Sequence, residues 1–225
     1  MDEAEYELAR NCYGYGRWEA PYWFIGPEQG QSSDENNDIK RRYEAFLELD
    51  QDKDGLCDCR EFHDRIFNNK SKWHSGIKPP LQQTWRCLIL LLMSYLGKPE
   101  DKDYLRSYQR DSWGSSKGDT CVIELSGLPA RNFVVSKERE RKLFAQEEID
   151  AIRRKRINFI YGKMLKLIPK PKFVVIYSKR QEEWWRKIPD FDLHSSNIIF
   201  APHPRGTQNQ CWINLGKKLQ NKLNV

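Results

Sequence analysis

Two short stretches hold the side chains best suited to chemistry. "GPEQG" (26–30) sets Glu28 between two glycines, directly after the apolar run "YWFI" (22–25). Gly26 and Gly30 let a backbone turn sharply and approach a ligand closely. A carboxylate held in such a turn, near a helix N-terminus, can orient or deprotonate a water molecule. The plainer reading is that Glu28 caps the next helix. The second stretch is "HPRGT" (203–207), directly after "NIIFAP" (197–202). Pro204 fixes the chain beside His203, and Gly206 opens a helix whose first amides are free for a phosphate. Arg205 is the nearest phosphate contact. A lone histidine there is more often an ordinary hydrogen-bonded residue. On the same sheet edge as the Glu28 loop, His203 becomes a candidate electrophile or acid.

The elements that must position these residues are legible as a pattern. Four continuous apolar runs, "YWFIG" (22–26), "TCVIELS" (120–126), "KFVVIYS" (172–178) and "NIIFAPHP" (197–204), read as strands covered on both faces. Helical patterns lie between them at 38–49, 59–67, 79–97, 145–168, 179–188 and 207–223. Alternation of this kind predicts an α/β fold, a three-layer α/β/α sandwich around a central four-stranded parallel sheet. No repeat or linker divides the chain, so residues 1–225 read as one domain with a helical insert at about 34–110. Ligands of open parallel sheets bind outside the carboxyl ends of the strands. The four exits carry "GPEQG", "ELSGLPARN", "YSKR" and "APHPRG", each with glycine, proline, serine or a functional side chain.

A first strand ending in Gly-x-(acid or amide)-x-Gly and a last one ending in His-Pro-x-Gly resemble the uracil-DNA glycosylase superfamily. In that family the first loop reads like G-Q-D-P-Y, G-I-N-P-G or G-E-A-P-G, and the last like H-P-S-P or N-P-S-G-L. The resemblance covers the order of elements along the whole chain but only two loops in sequence. It implies hydrolysis of the N-glycosidic bond of a flipped uracil or other deaminated base, a DNA-repair activity needing no cofactor. Glu28 falls where the family positions its attacking water. His203 falls where charge developing on the base carbonyl is stabilised. Gly26, Pro27, Gln29 and Gly30 line the first loop, and Pro204, Arg205, Gly206 and Thr207 the last, with Thr207 at the position of the wedge that enters the DNA stack. Glu124 lies near where an Asn commonly reads the base edge, and Asn132 can serve instead. A carboxylate accepts and does not donate, which changes the edge it selects. Trp113, Phe133 or Tyr15 would stack the base. The alternative is a nucleic-acid or nucleotide-binding module of the same fold without turnover.

Composition fits these readings without demanding them. The net charge is +6, and basic runs cluster at 137–187 while 34–64 is acid-rich. Such runs read equally as a solvated helix face or a phosphate-facing patch. The expected partner is DNA, bound by a monomer. The longest apolar stretch, "CLILLLMSYL" (87–96), is too short to span a membrane and reads as a buried helix. Six scattered cysteines with no C-x-x-C pair, and no secretory signal, suggest reduced thiols in a cytoplasmic, nucleoid or nuclear protein. "CDC" (57–59) makes no zinc pattern alone, and the expected number of metal ions at the site is zero.

A separate signal lies in the insert. "DQDKDGLCDCRE" (50–61) resembles an EF-hand calcium loop, with Asp50, Asp52, Asp54, Gly55, Asp58 and Glu61 at loop positions 1, 3, 5, 6, 9 and 12. The alternative is a polar connection between two surface helices. A third functional class, a calcium-responsive interaction protein, rests on this loop. His63 and His194 show no ligand spacing and read as ordinary hydrogen-bonded residues. Of the pair Trp184 and Trp185, one reads as core and the other as half-buried.

Overall fold

A computed structural model describes residues 3–30, 35–50, 54–130, 133–188, 191 and 197–223. Four strands form its parallel heart: β2 (Tyr22–Gly30), β4 (Thr120–Ala130), β5 (Phe173–Tyr177) and β6 (Ile198–Ala201). Their side chains alternate across the sheet because successive Cβ atoms of a strand point to opposite faces. Tyr22 and Phe24 of β2 join one apolar cluster, while Trp23 and Ile25 join another on the far side. Val122, Phe173, Val175 and Tyr177 share the first face; Cys121, Ile123, Val174 and Ile176 share the second. Each fully buried side chain of this size contributes about 1.5–3 kcal/mol, so two filled faces explain why these strands read as unbroken apolar runs.

The first face is covered by α1 (Glu3–Asn11), α2 (Glu35–Leu49), α3 (Cys59–Ile66), α4 (Gln83–Leu96), α5 (Lys102–Asp111) and α9 (Asn209–Leu223). The second is covered by α7 (Gln146–Lys166) and α8 (Lys179–Trp185). α6 (Phe133–Leu143) follows β4. The "CLILLLMSYL" run lies in α4 and is buried from Cys87 through Tyr95. Gln82 caps this helix by accepting from the Trp85 amide, and Gly97 ends it at φ +64°. No helix among the described residues is long and apolar enough to cross a membrane.

The expected four-stranded parallel sheet is a mixed six-stranded one, ordered β3-β1-β4-β2-β5-β6. The extra strands are β1 (Gly14–Tyr15) and β3 (Leu56–Cys57), each of two residues. β1 runs antiparallel to β4, and β3 parallel to β1. Two residues are too few to show periodicity. What makes room for them is Gly14, at φ +139°, where a Cβ would stand 2.2 Å from the Val122 carbonyl oxygen.

The first strand also runs on past Gly26. The tight turn expected at "GPEQG" is extended chain: Gly26 pairs with Glu124, Glu28 with Ser126 and Gly30 with Ala130, across a register shift between Glu28 and Gly30. The Gly30 carbonyl accepts from Arg42 Nη2 at 2.9 Å, and Arg42 is itself ion-paired with Asp38 at 3.1 Å inside the protein. β4 is lengthened to match. One residue of the "RRKR" run secures it. Arg156 is 1% exposed and donates to the carbonyls of Ala9, Cys12, Glu124 and Leu125, with its guanidinium 4.3 Å above the Tyr13 ring. This basic residue is an internal tie between α1 and β4, while Arg154 and Lys155 beside it are exposed.

Candidate functional site

The order β4-β2-β5-β6 places the topological switch point between β2 and β5, where the connections depart in opposite directions. Gly26 sits there, one residue beyond the Ile25–Ile176 pair. A Cβ at Gly26 would stand 2.0 Å from the Tyr177 hydroxyl and 2.6 Å from Glu124 Oε2. The phenol and the carboxylate therefore converge over a position that only glycine fits. All three residues lie on the sheet face that α4 and α9 cover.

His203 joins them from the end of β6, with its ring 5.8 Å from that of Tyr177 in an edge-on arrangement. Its Nδ1 accepts from the Arg205 amide at 3.1 Å. The lone pair on Nδ1 is thereby used, so the neutral ring carries its proton on Nε2 and presents a donor. Burial, and after it the Arg205 charge, holds this imidazole below its ordinary pKa. A neutral N–H donor is what an electrophile toward a carbonyl oxygen requires.

The loop around His203 is built from its own neighbours. Thr207 Oγ1 donates to the His203 carbonyl at 2.8 Å, so this side chain closes the turn and is half-buried. Pro204 is buried, with Cys87 of α4 donating weakly to its carbonyl at 4.0 Å. Arg205 and Gly206 are exposed, Gly206 at φ +90°. α9 begins at Asn209, two residues beyond Thr207. On the neighbouring strand, Ser178 follows Tyr177 at φ +94°, a conformation side-chain-bearing residues rarely adopt, and its amide donates to the Ala201 carbonyl. Strained backbone of this kind collects where a site over-determines the chain.

Of the residues singled out in the sequence, Gly26, Glu124, His203, Pro204, Arg205, Gly206 and Thr207 gather at this end of the sheet. Pro27 is half-buried in β2, and Gly30 ends that strand under the Arg42 clamp. The backbones of Glu28 and Gln29 lie in β2, while their side chains fall outside the described set, as do Asn132 and the side chain of Phe133. Two proposed stacking rings are corrected: Trp113 and Tyr15 are 2% and 3% exposed core residues. Tyr177 was missed because a tyrosine ending "KFVVIY" looks like the last residue of an apolar strand. Its place at the strand exit was the available signal.

The EF-hand-like segment joins α2 to α3 and includes β3, with residues 51–53 outside the described set. Asp50 Oδ1 accepts from the amides of Asp54 and Gly55, and Asp54 Oδ1 from that of Leu56. Asp58 Oδ1 caps α3 through the amides of Arg60 and Glu61, and its Oδ2 accepts from Ser115 and Ser116. Asp52 lies outside the described residues, as does His194. The tryptophan pair divides as expected, with Trp185 fully buried and Trp184 half-buried beneath the Arg153 guanidinium. Every cysteine is free. Comparison of the chain with protein-family models, curated proteins and solved structures finds no match.

Proposed function

We propose that the chain is a DNA glycosylase-like hydrolase that cleaves the N-glycosidic bond of a flipped uracil or other deaminated base. The observation carrying this is the meeting of Gly26, Glu124 and Tyr177 at the switch point of the parallel strands, with the His203 ring 5.8 Å from that of Tyr177. In the reaction, water adds to C1′ of the deoxyribose as the bond to the base nitrogen breaks, the base leaves with the electron pair, and the proton shed by the water passes to the Glu28 carboxylate and finally to the released base. His203 donates from Nε2 to the base carbonyl, where negative charge grows. Glu28 holds the water and stabilises the cationic sugar. Glu124 and the Tyr177 hydroxyl read the polar edge of the base. Arg205, with the amides opening α9, takes a backbone phosphate.

A screen of labelled single- and double-stranded oligonucleotides carrying uracil, hypoxanthine or xanthine, followed by alkali, tests this. Cleavage at one lesion by the wild-type chain is expected, with loss of at least about 100-fold in His203→Ala and in Glu28→Gln. Unchanged release by both variants overturns the roles of His203 and Glu28.

One observation favours a second reading, a nucleic-acid or nucleotide binder without turnover. The Tyr177 hydroxyl and the Glu124 carboxylate, itself 5% exposed, fill the space above Gly26 where a flipped base would enter. That reading predicts salt-sensitive DNA binding with no abasic product.

A further inference from the structure

A second cluster of reactive side chains lies away from the strand exits. Cys59 opens α3 and His63 follows one turn later, so the two share a helix face. His74 comes back to them from the connection to α4, in a turn where its amide donates to the Ser71 carbonyl. One ligand atom from each of the three lies within 4.8 Å of the others. The group is enclosed: Cys59 is 0%, His63 6% and His74 2% exposed. The rings of Tyr15, Phe62, Phe67 and Trp85 pack around the two imidazoles.

We propose that Cys59, His63 and His74 bind a zinc ion as a structural centre that ties α3 to the chain entering α4. The distances carry this. Cys59 Sγ is 3.6 Å from His63 Nδ1 and 3.8 Å from His74 Nε2. A tetrahedral zinc ion with ordinary bond lengths sets sulfur and nitrogen ligands about 3.6 Å apart. The donor set agrees: a thiolate with two imidazoles suits zinc and discriminates against calcium and magnesium, which take oxygen. A closed apolar surround suits a structural ion better than a catalytic one.

The surroundings of His74 point the same way. His74 Nδ1 is buried, and no atom meets it at hydrogen-bond geometry. The Arg110 carbonyl is close enough to favour a charged ring. With Nε2 on a metal, Nδ1 must carry the proton, and that carbonyl becomes its acceptor. His63 Nδ1 lies 2.7 Å from the Cys59 carbonyl and meets it as a donor in the metal-free chain; ligation through Nδ1 gives up that bond and leaves the ring hydrogen on Nε2. Cysteine ligates as the thiolate, so metal binding displaces the Cys59 thiol proton. The thiolate cancels one of the two zinc charges; Asp58 and Asp64 on one side and Arg42 and Arg60 on the other face the cluster with opposite signs. Three protein donors fill three of the four tetrahedral positions.

This proposal takes nothing from the glycosylase reading, and its test does not use base release. Metal content of the full-length protein, purified after growth with zinc, is measured by mass spectrometry. About one zinc per chain is expected. Chelation should lower the melting temperature by several degrees. Cobalt(II) added to the stripped protein should give the visible bands of a tetrahedral site and a near-ultraviolet thiolate charge-transfer band. Cys59→Ser should abolish the charge-transfer band. His74→Gln, in a loop rather than a helix, should weaken cobalt binding at least 10-fold if Cys59→Ser fails to fold. A folded wild-type chain that takes up neither ion in stoichiometric amount overturns the proposal, whatever the variants do. So does an unchanged cobalt spectrum in a folded Cys59→Ser chain, and stoichiometric copper in place of zinc overturns the choice of ion.

Discussion

Histidine serves two different ends in this molecule. At the strand exits, His203 is half-buried, with one nitrogen occupied by its own loop and the other left as a donor. At the β1–β3 edge, His63 and His74 are enclosed by rings and face a thiol. Burial lowers the pKa of all three, yet the consequences differ. A neutral imidazole open to ligand can work on a substrate. A neutral pair sealed beside a cysteine can only hold something or pack. Solvent access and partner, more than the pKa shift, separate the two regions.

The comparison can be broken from either side. The largest effect is expected from Arg156→Met. It leaves four buried carbonyls without their donor, including those of Glu124 and Leu125, and should cost about 3 kcal/mol or more in a denaturant titration. If the variant folds, base release should suffer while metal content stays the same, because Arg156 ties β4 to α1 and touches neither α3 nor His74.

Gly26→Ala comes next. Its methyl would collide with the Tyr177 hydroxyl and Glu124, for a loss of about 1–3 kcal/mol by thermal melting. Base release should disappear and zinc should remain. Asp58→Ala works from the other side. It removes the cap of α3 and the tie to Ser115 and Ser116, for about 1–2 kcal/mol. Metal affinity should fall and base release should hold.

The smallest effect on stability is that of pH through His203, and it sharpens the contrast in activity. The folded pKa lies below the ordinary 6.5, so the unfolded chain takes up the proton first as pH falls. The stabilising contribution is complete above about pH 6.5 and is lost as pH drops through the folded value. Base release should fall along the same acid limb, with a midpoint below 6.5, when measured as single-turnover cleavage against pH. A midpoint above 6.5 would refute a neutral catalytic imidazole.

Several features were legible because their causes are local. The apolar runs of β2, β4, β5 and β6 mark strands covered on both sides, and these strands are parallel as expected. The α4 run, its glycine stop and the hydrogen bonds that Asp50 makes within five residues all follow from nearby sequence. That β2, β4, β5 and β6 end on the same side of the sheet was readable too, since strand exits of a parallel sheet share an end.

The rest depended on contacts between distant residues. The two-residue strands β1 and β3 exist because positive-φ glycine lets β1 press against β4. Arg156 looks like its exposed neighbours in "RRKR", and only the packed face of α7 turns it inward. Tyr177 joins Glu124 because two strands about fifty positions apart in the chain flank Gly26. His74 meets Cys59 because the chain between them folds back. The sequence by itself determined the four parallel strands, most helices and the residue types at the exits, since periodicity, caps and glycine act within a few positions. The tertiary structure alone decided which polar groups share a buried space. That choice is set by strand order and helix packing, which bring together residues whose separation along the chain carries no signal.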